Sequence, residues 1–588
     1  MPLDIEQYAL IGNTRTAALV GGDGSIDWLC LPRFDADACF AALLGTPEHG
    51  RWLIRPKGNV HSIKRRYRKD TLVLETEYAT DAGTVCVTDC MPHWKGRSDV
   101  VRVVRGISGR VDMEMDLAIR FDYGRTVPWV RQVNGVLDAT AGPHSLQLHT
   151  PIETRGENFR TVAEFSIGPD VVAPFTLSYF PSRRPTPLPI DPLAAVAGTT
   201  GWWREWVSHI KHKGPWRDQV VRSLITLKAL TYAPTGGIVA APTTSLPEWL
   251  GGERNWDYRF CWLRDSALTL DVLLKAGCYA EAQEWTSWLL RAAAGRPEDL
   301  QILYGLSGER YLPETEIAEL PGYRDSRPVR IGNAAADQMQ IDVYGEVMDM
   351  LHIARSHGID PKAYAWHLQC KLLGHLEKIW DQPDHGIWEI RGEPRHFTHS
   401  RVMAWVAVDR AIKAVEQFEM EGPVEDWRRW RDAIHKDVCD KGFDKERNAF
   451  VQYYGGKGLD ASLLLIPLVG FLPPDDPRVR GTVEAIERGL MRHGLVTRYD
   501  TSAGVDGLPG AEGVFLPCSF WLVNDYALLG RMDDARKLFE RLLSHCNDIG
   551  LISEECDPES GALLGNFPQA FTHLALINAA VALTDAGA

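Results

Sequence analysis

Pro181-Ser182-Arg183-Arg184-Pro185-Thr186-Pro187-Leu188-Pro189 separates two stretches of chain with different periodicities. Its prolines lack the backbone N–H that a helix or a central strand needs, so the segment continues neither. Upstream, from about residue 12 to 180, apolar residues alternate with polar ones. Thr71–Tyr78, the turn Asp81-Ala82-Gly83, and Thr84–Asp89 together read as a β-hairpin. Val100–Gly106, Val111–Phe121 and Phe175–Phe180 repeat the pattern, with no helical stretch between them. That much strand without helices points to an antiparallel sandwich over residues 1–190.

Downstream the period changes. A short helix bearing tryptophans, roughly Ala194–Lys211, links the halves within residues 191–214. From about 215 to 588 the apolar spacing is helical. Candidate helices fall near 217–232, 265–277, 279–296, 335–357, 361–380, 400–418, 424–439, 459–470, 478–491, 515–529, 532–546 and 568–586. Twelve consecutive helices suggest six hairpins closed into an (α/α)6 barrel. The longer connections, at 233–264, 297–334, 382–399, 492–514 and 547–567, hold most of the unusual residues, as expected of loops on a rigid scaffold.

Bulk composition narrows the function. A formal charge of −14 with scattered basic residues argues against nucleic-acid binding. No apolar run is long enough to span a membrane, and Met1–Glu6 has no signal-peptide character, so a cytoplasmic location is expected. The eleven cysteines are scattered without a CxxC pair, suggesting neither a disulfide framework nor a zinc site. His396-Phe397-Thr398-His399 lacks a third ligand at a diagnostic distance, and Tyr454-Gly455-Gly456-Lys457-Gly458 lacks the full phosphate-loop spacing. No metal is expected. The composition leaves a homo-oligomer open.

Three segments carry chemistry. The run Asn255-Trp256-Asp257-Tyr258-Arg259-Phe260-Cys261-Trp262-Leu263-Arg264-Asp265 combines rings with an adjacent Arg and Asp. Rings cover a sugar face, while Arg264 and Asp265 can bind neighbouring hydroxyls. Far downstream stand two acidic motifs, His385-Gly386-Ile387-Trp388-Glu389 and Ser553-Glu554-Glu555-Cys556-Asp557. Two separated carboxyls and a ring-lined cup are what glycoside hydrolysis requires: one acid protonates the leaving oxygen and one carboxylate activates water.

Trp262-Leu263-Arg264-Asp265-Ser266, with Tyr258 upstream, resembles the first sugar-binding motif of glycoside hydrolase family 15, the glucoamylase-like enzymes. Asp23–Cys30, Arg327–Ala335 and Gly565–Phe571 are similar to its bacterial branch, which includes trehalases and small α-glucosidases. The resemblance covers most of the chain. It implies a β-sandwich before an (α/α)6 barrel, inversion at the anomeric carbon and no organic cofactor. It also places the general acid at Glu389, directly after Trp388. The base falls at Glu554 by alignment on Asp557, with Glu555 as the alternative, and Arg498 is a sugar contact. A neighbouring Trp is physically apt, since an apolar surrounding raises a carboxyl pKa. Trp249 and Trp256 are further candidates for the pocket wall, and Glu314 or Glu316 is the fallback acid.

Where many glucoamylases carry a second Glu after the acid, this chain has Ile390-Arg391. That change removes an acceptor, adds a cation, and favours a short leaving group over a long malto-oligosaccharide. The Asp23–Asp35 segment, with Trp28 and Phe34, either reaches over the barrel mouth beyond the first sugar or merely seals the sandwich to the barrel. The resulting expectation is an inverting, exo-acting α-glucosidase that releases β-glucose from a small carbohydrate substrate. Trehalose is the first choice, and isomaltose or a malto-oligosaccharide the alternative. A disaccharide phosphorylase and a non-catalytic sugar-binding protein are the rivals, and retention of both acids argues against each.

Overall fold

The computed structural model describes residues 2–587 apart from 95, 134 and 360–362. Among these residues the first part of the chain forms two eight-stranded antiparallel sheets. One sheet runs from Tyr8–Gly12 at one edge, through Ser25–Cys30 and Arg51–Pro56, to Val111–Ala118 and Arg160–Ile167. The other runs from Trp129–Val133 to Val60–Tyr67, with Val172–Pro181 and Ser98–Gly109 at its centre. The expected hairpin is present as Leu74–Thr80 and Gly83–Cys90, paired from Leu74 opposite Asp89 to Thr80 opposite Gly83. Inward residues of the two sheets, such as Trp52, Ile54, Val87, Val104, Met113 and Phe175, join one core. The buried Arg102 is matched by Asp89 at 2.8 Å and by the carbonyls of Trp52 and Gly24. Removing either partner would leave a buried charge uncompensated.

Helix α1 spans Pro192–Ser208, started by the Asp191 carboxylate on the N–H groups of Leu193 and Ala194. Twelve more follow among the described residues: α2 (Arg217–Ala229), α3 (Leu263–Ala276), α4 (Tyr279–Ala292), α5 (Asp342–Ser356), α6 (Ala363–Ile379), α7 (Thr398–Phe418), α8 (Val424–Lys441), α9 (Leu465–Leu468), α10 (Pro477–Leu490), α11 (Leu516–Leu528), α12 (Met532–Leu543) and α13 (Ala570–Asp585). Odd-numbered helices from α3 onward pack side by side into a closed inner ring, since α13 returns to α3. The even-numbered helices lie outside it, giving an (α/α)6 barrel. Inner helices are apolar nearly all round because they face both the axis and the outer ring; α7, for example, is buried from Thr398 to Ile412.

Two helices differ from the periodicity. The stretch 335–341 is a 3-10 turn and extended chain, and α5 begins only at Asp342, where the Asp384 carboxylate receives the N–H of Ile341 at 2.9 Å. The 459–470 helix contracts to a 3-10 turn plus α9, whose length is cut by Pro467 and Gly470. No described helix is long and apolar enough to cross a membrane.

The Asp23–Asp35 segment does not cover the barrel mouth. Trp28 lies on a central strand with 0 % exposure, donates its indole N–H to the Pro242 carbonyl at 2.8 Å, and sits under the Arg259 guanidinium. Phe34 is equally buried, and Asp27 accepts the hydroxyls of Tyr8 and Ser25. The segment seals the sheets against the barrel because an indole that finds a buried acceptor gains more there than at a wet rim.

Candidate active site

The connections at one end of the barrel enclose a pocket. Its wall includes Tyr258, Trp262, Arg264, Asp265, Trp388, Glu389, Arg391 and Arg498, all singled out from sequence.

Glu389 sits in a tight turn that begins at Gly386, with its own N–H bonded to the Gly386 carbonyl at 3.1 Å. Its φ is 56°, a left-handed conformation uncommon outside glycine. Gln338 holds that turn by donating to the carbonyls of Glu389 and Ile390. The carboxyl faces the pocket, accepting the Trp262 indole N–H at 2.7 Å and Arg264 Nη1 at 3.3 Å. Burial raises its pKa above the ordinary carboxyl value, and the Arg264 charge and the Trp262 donor oppose the rise. Arg264 also bonds Asp265 at 3.0 Å and the Ile387 carbonyl, so one guanidinium joins the start of α3 to the Glu389 turn. Trp388 is anchored on Asp460, 2.9 Å from its indole nitrogen, and packs against Phe515 and Trp521.

Glu554 is fully buried beside the pocket wall and accepts the Tyr258 hydroxyl at 2.6 Å and the Asn566 N–H at 3.1 Å. Burial and the nearby Glu248 carboxylate push its pKa up, opposed by Tyr258, Arg498 and the Asn566 amide. Those donors stabilise the ionised form of a carboxyl that binds a proton tightly. The Tyr258 and Trp262 rings meet edge to face with centroids 5.3 Å apart, so the two carboxyls are tied to neighbouring rings of one wall.

Glu555 points elsewhere. Its carboxyl, fully buried, accepts no hydrogen bond and lies 3.6 Å from Arg498 Nη2. That arginine also bonds Glu248 at 2.9 Å and, through Nε, Glu512 at 3.0 Å. The three carboxylates have oxygens within 4.8 Å of one another, a spacing that suits a metal ion. Here the Arg498 guanidinium stands among them. Arg254 bonds Asp506 at 2.8 Å and reaches Glu512 at 3.3 Å, so five acids share two buried cations once Glu554 is counted. Burial, reinforced by neighbouring acids, raises the pKa of both Glu248 and Glu555.

Sequence reasoning missed Glu248, Arg254 and Glu512. Each lies in a loop with no periodic signature, Glu248 and Glu512 as lone charges and Arg254 beside Glu253. Trp256 lines the pocket, whereas Trp249 is 41 % exposed and lies outside it. The guanidinium groups of Arg330 and Arg391 both stack on the Trp256 ring, 4.6 and 4.8 Å from its centroid. Glu314 is engaged by Arg391 at 2.8 Å, and Glu316 is exposed on a short strand, so neither fallback acid lies free in the pocket.

Residues 214–581 match the glycosyl hydrolases family 15, and residues 1–159 match the trehalase-like N-terminal domain. A trehalase of Mycobacterium tuberculosis is 39 % identical over 98 % of this chain and 89 % of its own length. A trehalase of Thermoplasma volcanium is 37 % identical over 99 % of this chain and 94 % of its own. A bacterial glucoamylase complexed with acarbose superimposes with a TM-score of 0.71, covering 99 % of this chain and 94 % of that one at 13 % identity. That likeness supports the fold. With the family match spanning most of the barrel, the chain belongs to family 15 of the glycosyl hydrolases.

Proposed function

We propose that this glycoside hydrolase is an inverting, exo-acting α-glucosidase whose preferred substrate is trehalose. The observation that carries the reading is the pair Glu389 and Glu554, each held by a donor from the adjoining rings of Trp262 and Tyr258. Glu389, whose pKa burial raises, donates a proton to the glycosidic oxygen. Glu554 takes a proton from the water that attacks the anomeric carbon from the opposite face. Arg264, Asp265 and Arg498 contact the hydroxyls of the non-reducing glucose, and Trp262 covers its ring. Trehalose is favoured because the relatives with the most extensive matches reported above are trehalases, and because the Arg330–Trp256–Arg391 stack narrows the leaving side. A second hydroxyl-rich glucose fits that cationic wall better than an extended chain does.

Two measurements test this. Proton NMR of α-glucosyl fluoride hydrolysis should show β-glucose first; α-glucose first would refute inversion. On trehalose the attacked ring should appear as β-glucose and the departing one as α-glucose, in equal amounts. A panel of trehalose, kojibiose, nigerose, maltose and isomaltose should give the highest kcat/KM on trehalose. A higher value on maltose or isomaltose would overturn the substrate assignment while leaving the two acids in place.

A further inference from the structure

A second cavity opens between the inner helices on the side away from the catalytic loops. It is lined by Glu346, Asp349 and His352 of α5, with Asn524, Trp521 and Phe571 at its inner end. Phe571 also lines the catalytic pocket, so the two spaces approach each other at that ring.

Helix α5 runs from the far cavity towards the Glu389 turn. Its first turn lies beneath Glu389: Gln338, just before it, holds the Glu389 turn, and Asp384 caps Ile341. Asp342, Glu346 and Asp349 follow at intervals of four and three residues, which puts them on one stripe about one turn apart. Asp342 and Glu346 are 2 % and 8 % exposed. Glu346 accepts no hydrogen bond and forms no ion pair among the described residues, and Asp342 Oδ1 and both ring nitrogens of the buried His399 on α7 are unpartnered. Asp349 pairs with Arg410 at 2.6 Å. Buried polar groups left without protein partners are ordinarily satisfied by ordered water.

The charges along this stripe disfavour full ionisation. Glu346 faces Asp342 and Asp349 on its own helix and Arg264 and Asp265 on α3; burial, with those acids, raises its pKa well above the ordinary value. Asp342 faces Asp384 and Glu389 from the loops and Arg264 from α3, and is pushed up to about 7, chiefly by burial. Carboxyls that hold a proton near neutrality can both accept and pass one.

Each turnover strips a proton from Glu389 and leaves one on Glu554, while sugar fills the front pocket. We propose that Asp342, Glu346 and Asp349, bridged by water, carry protons from the far cavity to Glu389 and so reload the acid from behind. One proton enters from bulk water at the far mouth, passes from Glu346 to Asp342 and ends on the Glu389 carboxylate. The proton taken up by Glu554 leaves to solvent once the products depart, so the cycle closes without net change. Asp342 and Glu346 therefore act through Glu389 and do not touch sugar. This inference rests on Glu389 being the acid.

The test compares a substrate that needs its leaving group protonated with one that does not. Glu346→Gln keeps the shape and loses the transferable proton. On trehalose its kcat should fall about tenfold, less than the hundredfold or more expected when general acid catalysis itself is lost. On α-glucosyl fluoride, whose fluoride departs unprotonated, kcat should stay at the wild-type value. A structural role for Glu346 would lower both rates together. Equal losses on the two substrates, or no loss on either, would overturn the proposal. Should Glu346→Gln fail to fold, Asp342→Asn is read by the same two rates. Glu389→Gln, measured alongside, separates the two failures. If it spares the fluoride and loses trehalose while Glu346→Gln loses nothing, the proton row alone is refuted; if it loses both equally, the acid assignment is refuted.

Discussion

Replacing Tyr258 by Phe removes one hydroxyl and leaves a ring that still packs edge to face on Trp262. That hydroxyl donates to a fully buried carboxyl at 2.6 Å. Hydrogen bonds to a charged group contribute about 1.5–3 kcal/mol. The donor stabilises the ionised form of Glu554 and so lowers its pKa; without it the pKa must rise. At about 1.4 kcal/mol per unit, the rise is roughly one to two units. A general base works only when ionised, so kcat/KM on the acidic side should fall about tenfold to a hundredfold, with the acidic limb of its pH profile displaced upward by the same one to two units. The gap should narrow as pH rises. Initial rates of glucose release across the pH range, with Tm measured on the same variant, read this directly. An acidic limb that stays in place, or a loss by one constant factor at every pH, would refute the reasoning.

Three further outcomes are expected. Glu554→Gln should lose about 10²–10⁴ in kcat, the usual worth of a positioned proton acceptor, whereas Glu555→Gln should keep most of the wild-type rate because its carboxyl lies against Arg498 and takes no hydrogen bond from the rings that wall the pocket; steady-state rates of the two variants decide it. Arg391→Ala removes one guanidinium from the Trp256 ring and from the Glu314 carboxylate, so the ratio of kcat/KM for maltotriose to that for trehalose should rise several-fold, on the order of 1 kcal/mol of altered discrimination. Trp28→Ala should lower stability by about 3–5 kcal/mol, seen as a lower Tm or denaturant midpoint, and leave the chain-length preference of the folded enzyme unchanged.

The architecture was largely legible because it rests on periodicity. The Leu74–Cys90 hairpin shows as alternation across a short turn, and the inner helices show as long apolar stretches with Gly or Pro at their ends. Where a helix start depends on a distant side chain, periodicity fails: the run of alanines at 334–336 looks helical, yet α5 begins at Asp342, where Asp384 receives the first free amide. The same distinction divides the site. Trp262, Arg264, Asp265 and Trp388-Glu389 form compact motifs whose chemistry can be read locally. Glu248, Arg254 and Glu512 acquire meaning only by converging on one another across more than 250 residues, and nothing in their own neighbourhoods marks them. Trp28 leaves two readings open in sequence, a cover for the mouth or a seal between sheets and barrel, and only its indole on the Pro242 carbonyl decides for the seal.

The amino-terminal strand has a bearing on how this enzyme can be engineered. The Asn547 side chain, at the start of the stretch that leads to Glu554, donates to the backbone carbonyls of Glu6 and Tyr8, and the Tyr323 hydroxyl reaches the Leu3 carbonyl. In the same way the Arg259 guanidinium, inside the sugar-binding run, donates to the Ala36 carbonyl. The sheets thus act as a jig for loops that the barrel cannot align by itself. Grafting this barrel onto a foreign amino-terminal module would transfer every side chain proposed for catalysis and still detune the pocket, because the backbone acceptors that set the loops belong to the discarded part. Chimeras should keep residues 3–8 and 36 with the barrel, and fusion partners are better attached elsewhere than at a terminus already gripped on two sides.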